Sequence, residues 1–272
     1  MATRFTLGVI GVGNMGGALV RGIVRAEALA PDTIIVSDAD GERAAALAHE
    51  SGVARAQTNV EVARSSEFVL LVLKPAVIVP VVEEIAQALG KEQTLVSMAA
   101  GVPLARIRRA LGDAQPGLVR VMPNTPALVR AGMLAVAAPG LAADRLDTLT
   151  RLLRSVGDVI EVGEHLMDAV TGLSGSGPAF VFVMIEALAD GGVAAGLPRP
   201  AAQRLAVQTV VGAGQLVQQT GEHPGSLKDA VASPGGTTIA GLAELERGGF
   251  RGLVASAVRA AAERSRELSG GD

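Results

Sequence analysis

The sequence predicts an α/β protein: a doubly wound parallel sheet followed by an all-helical C-terminal domain. Three observations lead there. Short apolar runs alternate with segments of helical period up to about residue 163, the pattern of successive βαβ units. Three glycines, Gly11, Gly13 and Gly16, stand between the first apolar run and the first helical segment. Beyond Gly163 the chain is almost entirely helical by period. The predicted division is 1–163 for the sheet domain and 164–272 for the helical one.

The elements follow in order. Thr6–Ile10 is an apolar run of strand type, and an apolar-periodic helix is expected from Met15 to Glu27. Thr33–Val36 is the next strand, followed by an Ala-rich helix over Gly41–Glu50. Phe68–Leu73 is a third strand, closed by Lys74-Pro75, with a helix over Val77–Leu89 behind it. Strand Thr94–Ser97, helix Leu104–Leu111 and strand Leu118–Val121 complete the alternation. Met133–Ala137 and Val159–Val162 are expected as two short strands at the far edge. In the second half the expected helices cover 164–172, 179–195, 199–219, 225–232, 237–247 and 250–268. Their breaks fall at Gly175-Ser176-Gly177-Pro178, Gly196-Leu197-Pro198, His223-Pro224 and Ser233-Pro234-Gly235-Gly236. The helix at 179–195 is apolar nearly all round. Such a helix needs cover on every side. A partner subunit is the expected cover, with a fully central core helix as the alternative.

Composition narrows the function. Apolar residues make up 49% and charged residues 19%, ample for a core and unlike a disordered chain. Net charge is −3 and aromatics are 2%, which argues against nucleic acid, an anionic membrane and base-stacking platforms. There is no Cys, so thiol nucleophiles, disulfides and iron–sulfur clusters drop out. His49, His165 and His223 are scattered, and no metal site is expected. No leader is visible before the first strand, and the apolar run Phe68–Leu73 is far too short to span a bilayer. A cytoplasmic protein is the expectation.

Two turns carry the chemistry. Gly11-Val12-Gly13-Asn14-Met15-Gly16 follows a strand and opens a helix. In that context Gly11 permits the tight turn, Gly13 the approach of a pyrophosphate and Gly16 close helix–strand packing, a Rossmann-type dinucleotide site. Asp38 lies where the second strand meets the adenine ribose. It favours a 2′-hydroxyl, although Ser37 and Arg43 can accommodate a 2′-phosphate. Leu73-Lys74-Pro75, Ala99-Ala100-Gly101 and Met122-Pro123-Asn124-Thr125-Pro126 are turns at strand C-termini and should line the same crevice. Lys74 reads equally as a catalytic group or a turn residue, and Asn124 as a cofactor contact or a turn cap. The second turn is Ser233-Pro234-Gly235-Gly236-Thr237-Thr238, which opens another helix. Unpaired N–H groups and the helix dipole suit it to a small anion. An anion site so far from the first implies a second ligand.

Several separated motifs now point one way. Val9 to Gly16, Leu73-Lys74-Pro75, Met98-Ala99-Ala100-Gly101, Arg120 to Pro126, Thr171 to Ala179, Glu222-His223-Pro224 and Ser233 to Thr238 occur in that order. Together they closely resemble the pyrroline-5-carboxylate reductase family over nearly the whole chain. The resemblance implies reduction of 1-pyrroline-5-carboxylate to L-proline by NADPH, or by NADH given Asp38. It implies a homodimer interlocked through the C-terminal helices, often assembled further into decamers. The active site would join one subunit's dinucleotide domain to the other's Ser-Pro-Gly-Gly turn. By resemblance Gly235, Gly236, Thr237 and Thr238 hold the substrate, backbone N–H groups binding its carboxylate and the Thr238 hydroxyl reaching the ring nitrogen. Glu164 matches an acidic position near the substrate. Asn59, Leu73 to Pro75 and Ala99 to Gly101 match the cofactor side. Ala230 stands where some relatives have an Asn on the cofactor.

The chemistry fits these residues. Hydride transfer to a cyclic imine needs orientation and electrostatics more than covalent help. Thr238 is the expected catalytic hydroxyl, and Ser233 a loop-capping or carboxylate ligand. A β-hydroxyacid dehydrogenase is the nearest rival, but it would carry a Lys on the stretch Pro178–Gly191, which has only Glu186 and Asp190 as charged residues. A non-catalytic dinucleotide sensor would not need the second anion turn.

Overall fold

The computed structural model describes residues 5–270. The chain forms two compact units. One contains the residues up to Ser176 together with those from Ala260 onward; the other is Gly177–Arg259. Compactness and sequence composition thus divide the chain at different points.

The first unit is built on one eight-stranded sheet. Its elements are β1 (Phe5–Ile10), α1 (Asn14–Arg25), β2 (Ile34–Ser37), α2 (Gly41–Ser51), β3 (Ala54–Arg55), α3 (Asn59–Ser65), β4 (Ser66–Leu71), α4 (Pro75–Ile85), β5 (Thr94–Ser97), α5 (Leu104–Leu111), β6 (Gly117–Met122), β7 (Gly132–Ala137), α6 (Ala143–Leu153), β8 (Gly157–Glu161) and α7 (Met167–Val170). The spatial order is β3-β2-β1-β4-β5-β6-β7-β8. β1 to β6 pair in parallel; β7 runs antiparallel to β6, and β8 parallel to β7. Successive residues of β4 face opposite sides. Phe68 and Leu70 join one core with Leu7, Val9 and Val119; Val69 and Leu71 join the other with Leu95 and Leu118. Helices cover both faces, which is why the strands read as apolar runs.

Four local expectations need correction. β4 spans Ser66–Leu71 rather than 68–73, because the polar Ser66 is fully buried and paired with Phe5. β3 and α3 were not foreseen. Yet α3 carries a capping pair: Thr58 accepts from the Glu61 N–H (3.1 Å), and the Glu61 carboxylate accepts from the Gln57 N–H (2.8 Å). α6 was also missed. Two parallel edge strands require a crossover, and Leu149, Leu152 and Leu153 bury its inner face. Finally, Gly175 to Pro178 is not a break. A π-helical turn over Thr171–Gly175 makes one helical run of Glu164–Ala194. Pro178 has no N–H for the carbonyl of Ser174 four residues back. Asn124 Nδ2 donates to that carbonyl instead, at 3.1 Å.

The second unit holds α8 (Gly177–Ala194), α9 (Arg199–Thr220), α10 (Pro224–Ala230), α11 (Thr237–Arg247) and the start of α12 (Phe250–Gly270). α8 and α9 meet through Ala189, Ala202 and Ala206. Otherwise α8 is bare: Ala189 is its one buried residue, and Phe182 and Val183 are more than 60% exposed (62% and 65%). By length and composition the run Glu164–Ala194 is apolar enough to cross a membrane. The short uninterrupted runs concealed this. The same exposed apolar surface is what the expected subunit interface requires.

Candidate active site

The strand order reverses between β1 and β4, and ligands of such sheets bind at that point, beyond the strand C-termini. The glycine turn lies there. A side-chain Cβ at Gly16 would collide with the Gly11 carbonyl oxygen, whereas one at Gly13 would meet nothing within 4 Å. So Gly16 serves packing and Gly13 leaves space open. Gly13 is the N-cap of α1 and no side chain caps that helix, leaving N–H groups for an anion. A cavity of about 580 Å³ opens beside it, lined by Val12, Gly13, Asn14, Arg21, Arg43 and Lys74 among others. Open backbone, free N–H groups and Lys74, beside Arg43 and the Arg21–Glu50 ion pair, fit a dinucleotide pyrophosphate and phosphate. Met15 is half-buried against the core under this turn.

The remaining cofactor-side residues make their own bonds. The Asp38 carboxylate accepts from the Val12 N–H (2.7 Å) and the Asp40 N–H (2.9 Å) and pairs with Arg43 (3.3 Å). Its side chain is only 9% exposed. The acid expected to meet a ribose hydroxyl therefore staples the glycine turn to the end of β2. The Arg43 guanidinium, about half exposed, faces the cavity. Ser37 donates to Asn59 Oδ1 (2.9 Å), and Asn59 Nδ2 donates to Glu84 (3.0 Å). Lys74 is the N-cap of α4, directly before Pro75. Asn124 uses both ends of its amide structurally, since Oδ1 also accepts from the Met133 N–H (2.9 Å). Leu73 packs against the core. Ala99 is buried, and Ala100 and Gly101 line a separate cavity of about 480 Å³ with Pro75.

Glu164 is also engaged. Its carboxylate accepts from the Leu104 N–H at the start of α5 (2.6 Å) and lies 3.6 Å from the guanidinium of Arg120. Arg120 sits in β6 and is 4% exposed. Burial pushes its pKa below the ordinary value, while Glu164 and Asp168 pull it back. Sequence reading missed Arg120 and Asp168 because nothing in their local spacing marks them. Glu164→Ala should therefore lower stability by on the order of 2 kcal/mol, by leaving an N–H without its acceptor and a buried cation with Asp168 as its remaining countercharge. Glu164→Gln keeps the acceptor and should lose less. Chemical denaturation of the two variants checks the order.

The second anion turn lies in the helical unit. Gly235 has φ +67°, a left-handed conformation that suits glycine. The Gly236 N–H donates to the Ser233 carbonyl (3.0 Å), closing the turn. Gly236 is the N-cap of α11 and no side chain caps that helix. The N–H groups at Thr237 and Thr238 thus begin a helix that offers them outward. Ser233 Oγ lies over Gly236, at the place a Cβ there would occupy. Among the described residues no cluster of His, Asp or Glu could hold a metal ion.

Comparison with known proteins agrees with this arrangement. Residues 164–268 match the family described as pyrroline-5-carboxylate reductase dimerisation, and residues 6–101 match NADP oxidoreductase, coenzyme F420-dependent. A pyrroline-5-carboxylate reductase of Synechocystis is 48% identical over 96% of this chain and 97% of its own. That of Escherichia coli is 42% identical over 97% and 98%. The solved pyrroline-5-carboxylate reductase of Coxiella burnetii superposes with a TM-score of 0.93 at 34% identity, covering 99% of this chain and 100% of the other. The Plasmodium falciparum enzyme, solved with NADP bound, gives 0.84 at 30% over the same shares. The glycine turn, the uncapped second turn and full-length identity at this level together place the chain in the pyrroline-5-carboxylate reductase family.

Proposed function

We propose that the protein reduces the C=N bond of 1-pyrroline-5-carboxylate with NADPH to give L-proline, and that the Ser233 to Thr238 turn is the substrate cradle. The observation that carries this reading is the uncapped start of α11 behind a glycine held at φ +67°. It offers backbone N–H groups and a positive helix end to a carboxylate. NADPH, when bound, supplies the hydride. Gly11 to Gly16 would hold its pyrophosphate, and the half-exposed Arg43, which pairs with Asp38 and Asp40, would meet its 2′-phosphate. In the cradle Gly235, Gly236 and Thr237 bind and orient the carboxylate, and Thr238 Oγ1 holds a proton toward the ring nitrogen as it becomes an amine. Ser233 closes the turn. Glu164 and Asn124 act at one remove, through α5 and the π-turn.

The helical segment, with the domain boundary placed at 163/164, joins two subunits through the bare face of α8. One subunit's cradle then serves the other's cofactor, and decamers form from such dimers. A cytoplasmic location belongs to the same reading, in keeping with a chain that has no Cys.

The cradle is tested by removing the anion from the substrate. With 1-pyrroline, which lacks the carboxylate, kcat/KM should fall about 100-fold or more, mostly through KM, as befits loss of charge-assisted bonds. Equal kcat/KM for the two imines would remove the carboxylate role. A panel of hydroxy acids should not be oxidised.

A further inference from the structure

The cavity beside Ala100 and Gly101 has a wall that the catalytic turns do not supply. It measures about 480 Å³, and its lining includes Pro75, Ala100 and Gly101 on one side and Thr171 and Ser176 on another. The third side is the C-terminal part of α12, through Ala261, Ser265 and Leu268. That part of α12 lies directly against the Ala99 to Gly101 turn. A Cβ at Gly101 would stand 3.6 Å from Ser269 Oγ and 3.7 Å from Leu268 Cβ.

One side chain fixes this wall. Asp168, on α7, accepts a hydrogen bond from Ser265 Oγ at 2.6 Å. Ser269 Oγ lies 3.3 Å from the same carboxylate oxygen and 2.8 Å from the Ser265 carbonyl. Ser265 is 5% exposed, so the bond is shielded from water. Asp168 also helps offset the buried charge of Arg120. Hydrogen bonds to an ionised carboxylate are about twice as strong as neutral ones. The carboxylate itself is absent from the cavity lining.

We infer that Asp168 is a positioning residue, which clasps α12 through Ser265 and thereby sets the width of the cavity beside the Ala99 to Gly101 turn. The inference rests on the assignment of that turn to the cofactor. A wall displaced by an ångström loosens the reacting geometry without touching the adenosine end. The clasp should therefore act on kcat and leave NADPH affinity alone.

The test uses the full-length dimer and steady-state kinetics with 1-pyrroline-5-carboxylate and NADPH, alongside NADPH titration by fluorescence. Ser265→Ala disturbs neither charge, so it avoids the folding risk of stranding Arg120. It should lower kcat about tenfold with unchanged NADPH affinity. Ser265→Thr, which keeps the donor, should stay near wild type. Ser265→Ala combined with Asp168→Ala should be no slower than Asp168→Ala alone. Wild-type kcat in Ser265→Ala, even with a lowered melting temperature, would overturn the clasp, as would additive losses in the double variant. Ala100→Leu, which fills the cavity, separates the two assignments. If it is impaired while Ser265→Ala is not, the clasp alone is wrong. If it too retains wild-type kinetics, the cofactor assignment of the turn falls and takes the clasp with it.

Discussion

Gly13→Asp is expected to abolish reductase activity in a protein that folds as the wild type does. The two halves of that expectation have separate grounds. Gly13 has φ −62°, which any residue adopts, and a Cβ there would meet nothing within 4 Å. The fold therefore has room for the side chain, and the melting temperature should stay close to wild type. The same position caps α1, where the uncapped N–H groups would meet the dinucleotide pyrophosphate. A carboxylate placed there occupies the anion's space and repels its charge. NADPH affinity should fall by about two orders of magnitude or more, near 3 kcal/mol. Gly16 makes the contrast. A Cβ at that position collides with the Gly11 carbonyl, so its substitution damages the turn itself and would not isolate cofactor binding.

The second large effect concerns Thr238. Removing its hydroxyl in Thr238→Ala should lower kcat by about 100-fold, the scale on which a positioned proton-transfer group acts. NADPH affinity should not change, because the role proposed for Thr238 is toward the imine nitrogen and not toward the dinucleotide. Stability should change little. Thr238 lies in the first turn of α11, where Ala is a better helix former than Thr. A variant that retains wild-type kcat would leave the ring nitrogen to solvent and remove Thr238 from the mechanism. Thr238→Ser tests the chemistry further, since it keeps the hydroxyl and should retain most of the rate.

The two glycine-rich turns were legible in the sequence because each is a local pattern. Glycines at 11, 13 and 16, and Ser233 to Thr238, state their backbone conformation within six residues. The alternation of strand and helix was equally local, and β5 and α5 coincide with Thr94–Ser97 and Leu104–Leu111 as read. What escaped was carried by partners distant in sequence. The bond from the Val12 N–H to the Asp38 carboxylate spans 26 positions. The bond from the Leu104 N–H to the Glu164 carboxylate spans 60 positions. Asn124, which reads as a cofactor contact or a turn cap, places its amide on the Ser174 carbonyl that Pro178 leaves open. Side-chain bonds to a distant backbone leave no period and no spacing. α3 is different: Thr58 and Glu61 carry a capping signature that could have been read.

The central claim is that the cofactor turn of one subunit works with the substrate turn of the other. Mixing the two disabled proteins tests it most directly. Gly13→Asp and Thr238→Ala subunits, each inactive alone, are unfolded, mixed in equal amounts and refolded together. In a mixed dimer one site then pairs an intact glycine turn with an intact Thr238, while the other pairs the two defects. Random mixing makes half the dimers mixed, so about a quarter of wild-type activity should return. If each subunit instead completed its own site, every site would carry one defect. The mixture would then show no more activity than its parents, which would contradict a shared active site.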